Sequence, residues 1–300
     1  MASSISTDKR IGVISGLFAA DAAAMPLHWI YDQAVSGEKA AAKALFHDPP
    51  SCPFYECEFG WNPLGASTPY GDEGKAILAA AAGAGDIEVD ALFKGFTEFA
   101  KSYTGRLNHL PKLFLANVEE GKAYPDAAAP NLDFHALYTA VIVTALYAGR
   151  PELMDKVEEA VKVTQSNDVV IGSAKTVAAV LEHVMQGATI AETLEWVKTK
   201  PFNYNYPIMM RLGPVINNGT AVPHKDVVGM LGPGCVVPAS ILNSFHAVAA
   251  HPDDMVKALE TTIAAGGDSA SRGAFIGALL GATVGVEGLP EALTAPCGPW

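Results

Sequence analysis

Residues 264–285 read AAGGDSASRGAFIGALLGATVG, and the parsing of this stretch decides the fold. The paired glycines Gly266 and Gly267 end one helix, and Asp268 and Ser269 carry the side-chain oxygens that start another. From Gly273 to Gly285 the chain is almost wholly apolar, with Gly273, Gly277, Gly281 and Gly285 four residues apart. Residues at that spacing share one face of a helix, so they form a smooth stripe that a second backbone can approach closely. Residues 11–24 carry the matching pattern in Gly12, Gly16, Ala20 and Ala24. Each interior glycine costs a helix about 1 kcal/mol against alanine, and close packing is the expected compensation. The two segments are therefore predicted to pack against each other or against a common neighbour.

Outward from this pair the chain reads as helix after helix. Apolar residues at three- and four-residue spacing predict helices over 73–84, 89–103, 134–149, 151–165, 169–187, 190–199 and 252–267. Stretches 47–71, 124–133 and 203–226, rich in Pro, Gly, Asn and aromatics, are expected to be loops. No strand alternation competes with an all-α reading, and no shift in composition marks a domain boundary.

Half of the 300 residues are apolar and 17% are charged, which describes a buried, helix-rich globule. The net charge of -12, without a Lys/Arg cluster, excludes a protein that grips a nucleic-acid backbone. A nucleotide-sized ligand stays open, since helix N-termini hold phosphates without net positive charge. The four cysteines, Cys52, Cys57, Cys235 and Cys297, form neither a CxxC pair nor a disulfide framework, so a reducing, cytoplasmic setting is expected. Lys9 and Arg10 before IGVISGLFAA imitate a signal peptide, but Asp21 interrupts the segment. No apolar run is expected to reach the ~20 residues that cross a bilayer, and no membrane partner is expected.

Three constellations can carry chemistry. Asp72 and Glu73, in STPYGDEGKAILA (67–79), stand at a loop-to-helix junction, where carboxylates cap free N–H groups or bind Mg²⁺ through oxygen. Asp268, Ser269 and Ser271 offer the same choice between a cap and a metal or ribose site. Arg272 is badly placed for the helix dipole, so it serves either an anionic ligand or a local salt bridge with Asp268. His28, Trp29, Tyr31 and Asp32, in DAAAMPLHWIYD (21–32), put an imidazole, an indole, a phenol and a carboxylate within five residues, enough to stack a base or sugar and move a proton. More briefly, Cys235 on its Gly/Pro turn reads first as a buried thiol and second as a nucleophile. Asn167 and Asp168 either end a helix or reach a cleft, and Asp133, near His135, reads as an N-cap.

Taken in order, GLFAADAAAMPLHWIYD (16–32), STPYGDEGKAILA, TQSNDVV (164–170), GPGCVVPASILNSFHAV (232–248) and the opening stretch resemble the ADP-ribosylglycohydrolase family. The likeness runs from residue 11 to 293 and is strongest to the branch with jellyfish J-crystallins and selenoprotein J. It implies one domain over 1–300, an orthogonal all-α bundle with a central cleft, with residues 1–10 and 294–300 peripheral. It also implies hydrolysis at the anomeric carbon of ADP-ribosyl adducts, with Mg²⁺ held by two acidic motifs. Asp72, and less securely Glu73, match the carboxylates of the first motif, whose leading threonine is replaced by Tyr70 or Gly71. Asp268 and Ser271 match the ends of the second, whose middle aspartate is Ala270, and a methyl group cannot coordinate Mg²⁺. His28 falls near a position where several relatives carry glutamate. One Mg²⁺ or none, rather than two, is the expectation.

Three functions are compatible with this reading. The first is a hydrolase of a glycosidic bond in an ADP-ribose-like or nucleoside-like small molecule, with His28, Asp72, Glu73 and Asp268 catalytic. Trp29, Tyr31, Asp32, Tyr70, Asn167, Cys235 and Arg272 would then line the substrate, and Asp72, Asp268 and Ser271 any metal. The second is a non-catalytic, crystallin-like protein, and the third a sensor that binds such a ligand without turnover.

Overall fold

The computed structural model describes residues 5–52, 63–199, 206–219 and 221–298, with the backbone alone for 206–210. Trp300 and Cys57 lie outside the described residues. Among the described residues fifteen α-helices succeed one another, with isolated bridges but no strand. They are α1 (Thr7–Ala24), α2 (Gln33–Ala42), α3 (Pro69–Ala84), α4 (Val89–Ser102) and α5 (His109–Glu119). Next come α6 (Ala136–Tyr147), α7 (Leu153–Val161), α8 (Asp168–Met185), α9 (Ile190–Thr199) and α10 (Tyr206–Asn217). The chain closes with α11 (His224–Leu231), α12 (Ala239–Ala250), α13 (Met255–Ala264), α14 (Ser269–Val284) and α15 (Glu291–Thr294).

A helix that is apolar all round must be enclosed. Such is α1, buried almost without interruption from Gly12 to Ala24, and such are α6 and α14. The predicted pairing holds: α1 lies along α14, glycine stripe against glycine stripe, with α6 beside both. The backbones come so close that a Cβ added to Gly12 would sit 2.7 Å from the Gly281 carbonyl oxygen. One added to Gly16 would overlap the carbonyl of Gly277, and the reverse is also true. Around this trio α8 covers α6 and α14, α3 pairs with α4, and α12 and α13 close the α14 side. Helices with one apolar face, such as α4 and α7, form the outside.

Two expectations are corrected. Residues 203–226 are not all loop: α10 forms through Pro214, and α11 begins at His224. The span Thr7–Leu27 is long and apolar enough to cross a bilayer, against the expectation that no run reaches that length. Of its apolar window 83% is buried by the rest of the fold, so the protein itself covers that surface.

Overpacking typically costs 1–3 kcal/mol, which outweighs alanine's better helix propensity. Gly277→Ala is therefore expected to lower unfolding free energy in urea by about 1–3 kcal/mol. Gly83→Ala, with nothing within 4 Å of the added methyl, should leave it unchanged or raise it by up to about 1 kcal/mol. Equal responses would contradict the close contact.

Candidate functional site

The N-terminal ends of α3, α6 and α14 meet. Gly266 and Gly267 both take positive φ, 73° and 67°, which turns the chain sharply out of α13. Side chains there would collide with the Ile30 carbonyl oxygen, 2.6 Å from a Cβ at Gly266, and with the Pro233 backbone at Gly267. The turn is pinned by three amides: Trp29 N–H donates to Gly267 O (2.8 Å), Gly267 N–H to Ile30 O (2.7 Å) and Asp268 N–H to Pro233 O (2.7 Å). Trp29 is held at φ 63°, a strained conformation for a bulky residue that such ties must impose.

His28 and Asp268 are thereby brought together, both fully buried, with Nδ1 and Oδ1 3.7 Å apart. Burial and the Arg272 charge hold His28 well below its ordinary value, so it is neutral. Its Nδ1 accepts the Ala270 amide at 3.3 Å, which assigns the proton to Nε2. Burial raises Asp268, against the pull of Arg272 and Ser271, whose hydroxyl donates to Oδ1 at 3.1 Å. Three atoms here are buried without a partner: His28 Nε2, Asp268 Oδ2 and Ser269 Oγ. Orphaned polar atoms are rare inside proteins, and a donor beside acceptors suits a ligand hydroxyl or amide.

The second half of the site is Glu73, 5% exposed, in the first turns of α3. One carboxylate oxygen accepts Asn108 Nδ2 at 2.9 Å, and the other meets His135 Nδ1 at 2.6 Å. Burial works to lower His135, but the Glu73 carboxylate outweighs it and raises the imidazole above its ordinary value. Tyr70 joins the halves, with its ring edge-on to His135 (4.5 Å) and to His28 (5.5 Å), while Trp29 lies 4.5 Å from His28.

Asp72 points elsewhere. It accepts the Tyr103 hydroxyl at 2.7 Å, stands 4.0 Å from Lys75 and is 30% exposed. Burial still raises it, against the Tyr103 hydrogen bond and Lys75. Among the described residues no hydrogen bond or ion pair joins Asp72 to Asp268, and no three of His, Cys, Asp and Glu could hold a metal ion together.

Other candidates are placed by the same accounting. Arg272 is fully buried, its Nε donates to Thr262 Oγ1 (2.9 Å), and its terminal nitrogens donate to carbonyls of Pro233, Thr262 and Gly266. This is a clamp on the α13–α14 turn, and among the described residues Arg272 forms no direct ion pair with Asp268, which corrects the salt-bridge reading. Asp32 is the outward N-cap of α2, accepting the amides of Ala34 and Val35, and Asn167 caps α8 through the Val169 amide. Neither carboxamide nor carboxylate is thus directed at the site. Asp133 is no N-cap, because His135 takes that position on α6. It accepts the Cys235 thiol at 3.2 Å and Asn131 at 3.0 Å. Burial, with Asp268 and Asp133 nearby, pushes Cys235 up, so it stays a thiol and is a poor nucleophile. Tyr31 stands half-exposed at the edge, pushed up to about 12 by burial and Asp268.

Asn108, Tyr138 and Asp21 were not anticipated. Asp21, fully buried in α1, accepts Thr68 N–H (2.8 Å), Thr68 O–H (2.6 Å) and Tyr138 O–H (2.5 Å), tying α3 and α6 to α1. Burial lifts it to about 6, those hydrogen bonds opposing. A lone acid within GLFAADAAA was the signal for it. A cavity of about 1450 Å³ lies apart, lined by residues of α2, α11 and α13 such as Gln33, His224, Lys257 and Thr261, and by none of His28, Tyr70, Glu73, His135 and Asp268.

A family model described as ADP-ribosylglycohydrolase matches residues 2–299. Crystallin J1A of Tripedalia cystophora is 24% identical over 309 residues, covering 97% of this chain and 92% of the relative. Crystallin J1B of the same organism is 24% identical over 305 residues, covering 95% and 90%. A solved structure titled "ADP-ribosylglycohydrolase-related protein complex" superposes with a TM-score of 0.70 at 15% identity, covering 97% of this chain and 92% of that one.

If Glu73 is what raises His135, Glu73→Gln leaves burial opposed only by the weaker pull of Asp133 and Asp268. NMR titration of the His135 ring is expected to give a midpoint above 6.5 in the wild type and below it in the variant. Stability from this pair is complete below 6.5, the value of the unfolded chain, and is lost as pH rises through the folded value. An unchanged midpoint would contradict the pairing.

Proposed function

The chain belongs to the ADP-ribosylglycohydrolase family, and on that footing we propose that it hydrolyses a glycosidic bond in an ADP-ribose-like or nucleoside-like small molecule. The observation that carries this reading is the buried Glu73–His135 pair, 2.6 Å apart, beside an Asp268 carboxylate with one oxygen free. Cleavage through a cationic sugar needs a carboxylate near the anomeric carbon and a group to manage protons. Asp268 supplies the first, and Glu73 with His135 supplies the second by orienting the attacking water. Of the adjacent acids Asp72 and Glu73, burial and the imidazole favour Glu73 for that role. Neutral His28 donates from Nε2 to a sugar or base oxygen, and Trp29 and Tyr70 provide aromatic surface. Three helix N-termini favour the anionic part of such a ligand. The acidic surface suits a small diffusing substrate in the cytoplasm rather than nucleic acid or membrane.

A second reading, a non-catalytic crystallin-like protein or a sensor without turnover, is favoured by the likeness to the two J-crystallins and by the enclosure of His28 and Asp268. Turnover separates the readings. Release of ADP-ribose from N- and O-linked ADP-ribosyl peptides, and of base from nucleosides, is to be followed by chromatography. Glu73→Gln is expected to lower kcat about 10²–10⁴-fold. The caps Asp32→Ala and Asn167→Ala should leave kcat nearly unchanged and reduce stability by about 1 kcal/mol each. No release from any substrate by the folded protein would favour the second reading.

A further inference from the structure

We infer that the buried acids of this site are already held by donors of the chain itself, and that the site takes its ligand without a divalent cation. The inference rests on reading these helix ends as the functional site, and it concerns their donor set rather than their reaction.

The donor set is the physical test. Mg²⁺ demands a near-octahedral shell of oxygens, usually one or two carboxylates plus water and ligand oxygens. Here most of the acidic oxygens already have hydrogen-bond donors. Asp21 receives Thr68 twice and Tyr138, Asp72 receives Tyr103, and Glu73 receives Asn108 and His135. Asp268 Oδ1 receives Ser271, which leaves Asp268 Oδ2 as the one buried oxygen without a donor among these carboxylates, while the partly exposed Asp72 Oδ1 stands 4.0 Å from Lys75 Nζ. Its surroundings do not continue a metal shell. Ala270, two residues on, presents a methyl group, and the neighbouring His28 carries its ring proton on Nε2, so that nitrogen donates rather than ligates.

Charge leads to the same conclusion. Buried carboxylates need a compensating partner; Asp21 has only the neutral donors of Thr68 and Tyr138, whereas Glu73 meets the His135 imidazole and Asp268 the Arg272 charge. Glu73 is ion-paired with His135, both side chains 5–6% exposed, and the fully buried Arg272 guanidinium acts on Asp268 across the α13–α14 turn. A doubly charged ion at Asp268 would face the Arg272 guanidinium in a medium that screens poorly. Arg272 is irreplaceable in this respect, since its donors are fixed on Thr262, Pro233 and Gly266 and cannot swing aside. The same groups therefore both satisfy the acids and exclude the metal.

The protein, stripped with EDTA and dialysed, is to be titrated with MgCl₂ and with MnCl₂ by calorimetry, with no substrate present. The inference expects no saturable heat below millimolar metal, and the same unfolding midpoint in EDTA as in Mg²⁺ at matched ionic strength. Stoichiometric binding that is lost in Asp268→Asn or Glu73→Gln overturns it. Binding that survives in both variants belongs to acids elsewhere and counts for it. Should those variants fail to fold, Mn²⁺ broadening of the His28 and His135 ring signals in the wild type decides: sharp signals uphold the inference, and selective broadening overturns it. Because metal alone is the probe, an absence of turnover bears on the proposed reaction and not on this result.

Discussion

The contact between α1 and α14 is the constraint on which the rest depends. Two helices about 250 residues apart in sequence lie with glycine against glycine, so near that a single methyl group would meet backbone. Helices normally stand 8–10 Å apart because side chains separate them, and here there are almost none to do so. The conformational cost of those glycines, about 1 kcal/mol each, is offset by dispersion contacts along the whole seam. The seam also fixes the site. His28 lies just past the C-terminal end of α1 and Asp268 begins α14, so the register of the two helices sets the 3.7 Å between their side chains.

The second consequence is that polar groups had to be satisfied deep inside the bundle. Asp21 lies within the buried stretch of α1, and it fastens the start of α3 and the flank of α6 by three hydrogen bonds. Neighbouring residues on a helix point about 100° apart, so when α3 is fastened this way Asp72 and Glu73 cannot share a direction. Glu73 turns inward to His135, and Asp72 turns to Tyr103 and Lys75. Two adjacent acids that look alike in the sequence therefore have different environments, and different environments assign different chemistry.

What could be read from the sequence was periodic or local. The glycine spacing announced the α1–α14 pair, and apolar periodicity announced α4, α6, α8 and α9. A helix carrying Gly213 and Pro214 defeats such a reading, because tertiary packing overrides the local signals in α10. Paired glycines before Asp268 marked the turn, and their positive φ explains why both are needed. Arg272 was legible only as an oddity at a helix start. The carbonyls that hold it converge only once α13 has turned into α14. The Glu73–His135 pair was equally hidden, since its members are 62 positions apart and nothing local to either names the other.

A crystal structure of the protein with ADP-ribose tests the central claim most directly. The account predicts the sugar at the joined ends of α3, α6 and α14, with oxygens within hydrogen-bonding distance of His28 Nε2 and Asp268 Oδ2. Ligand seated instead in the cavity between α2, α11 and α13, with those two atoms untouched, would contradict it.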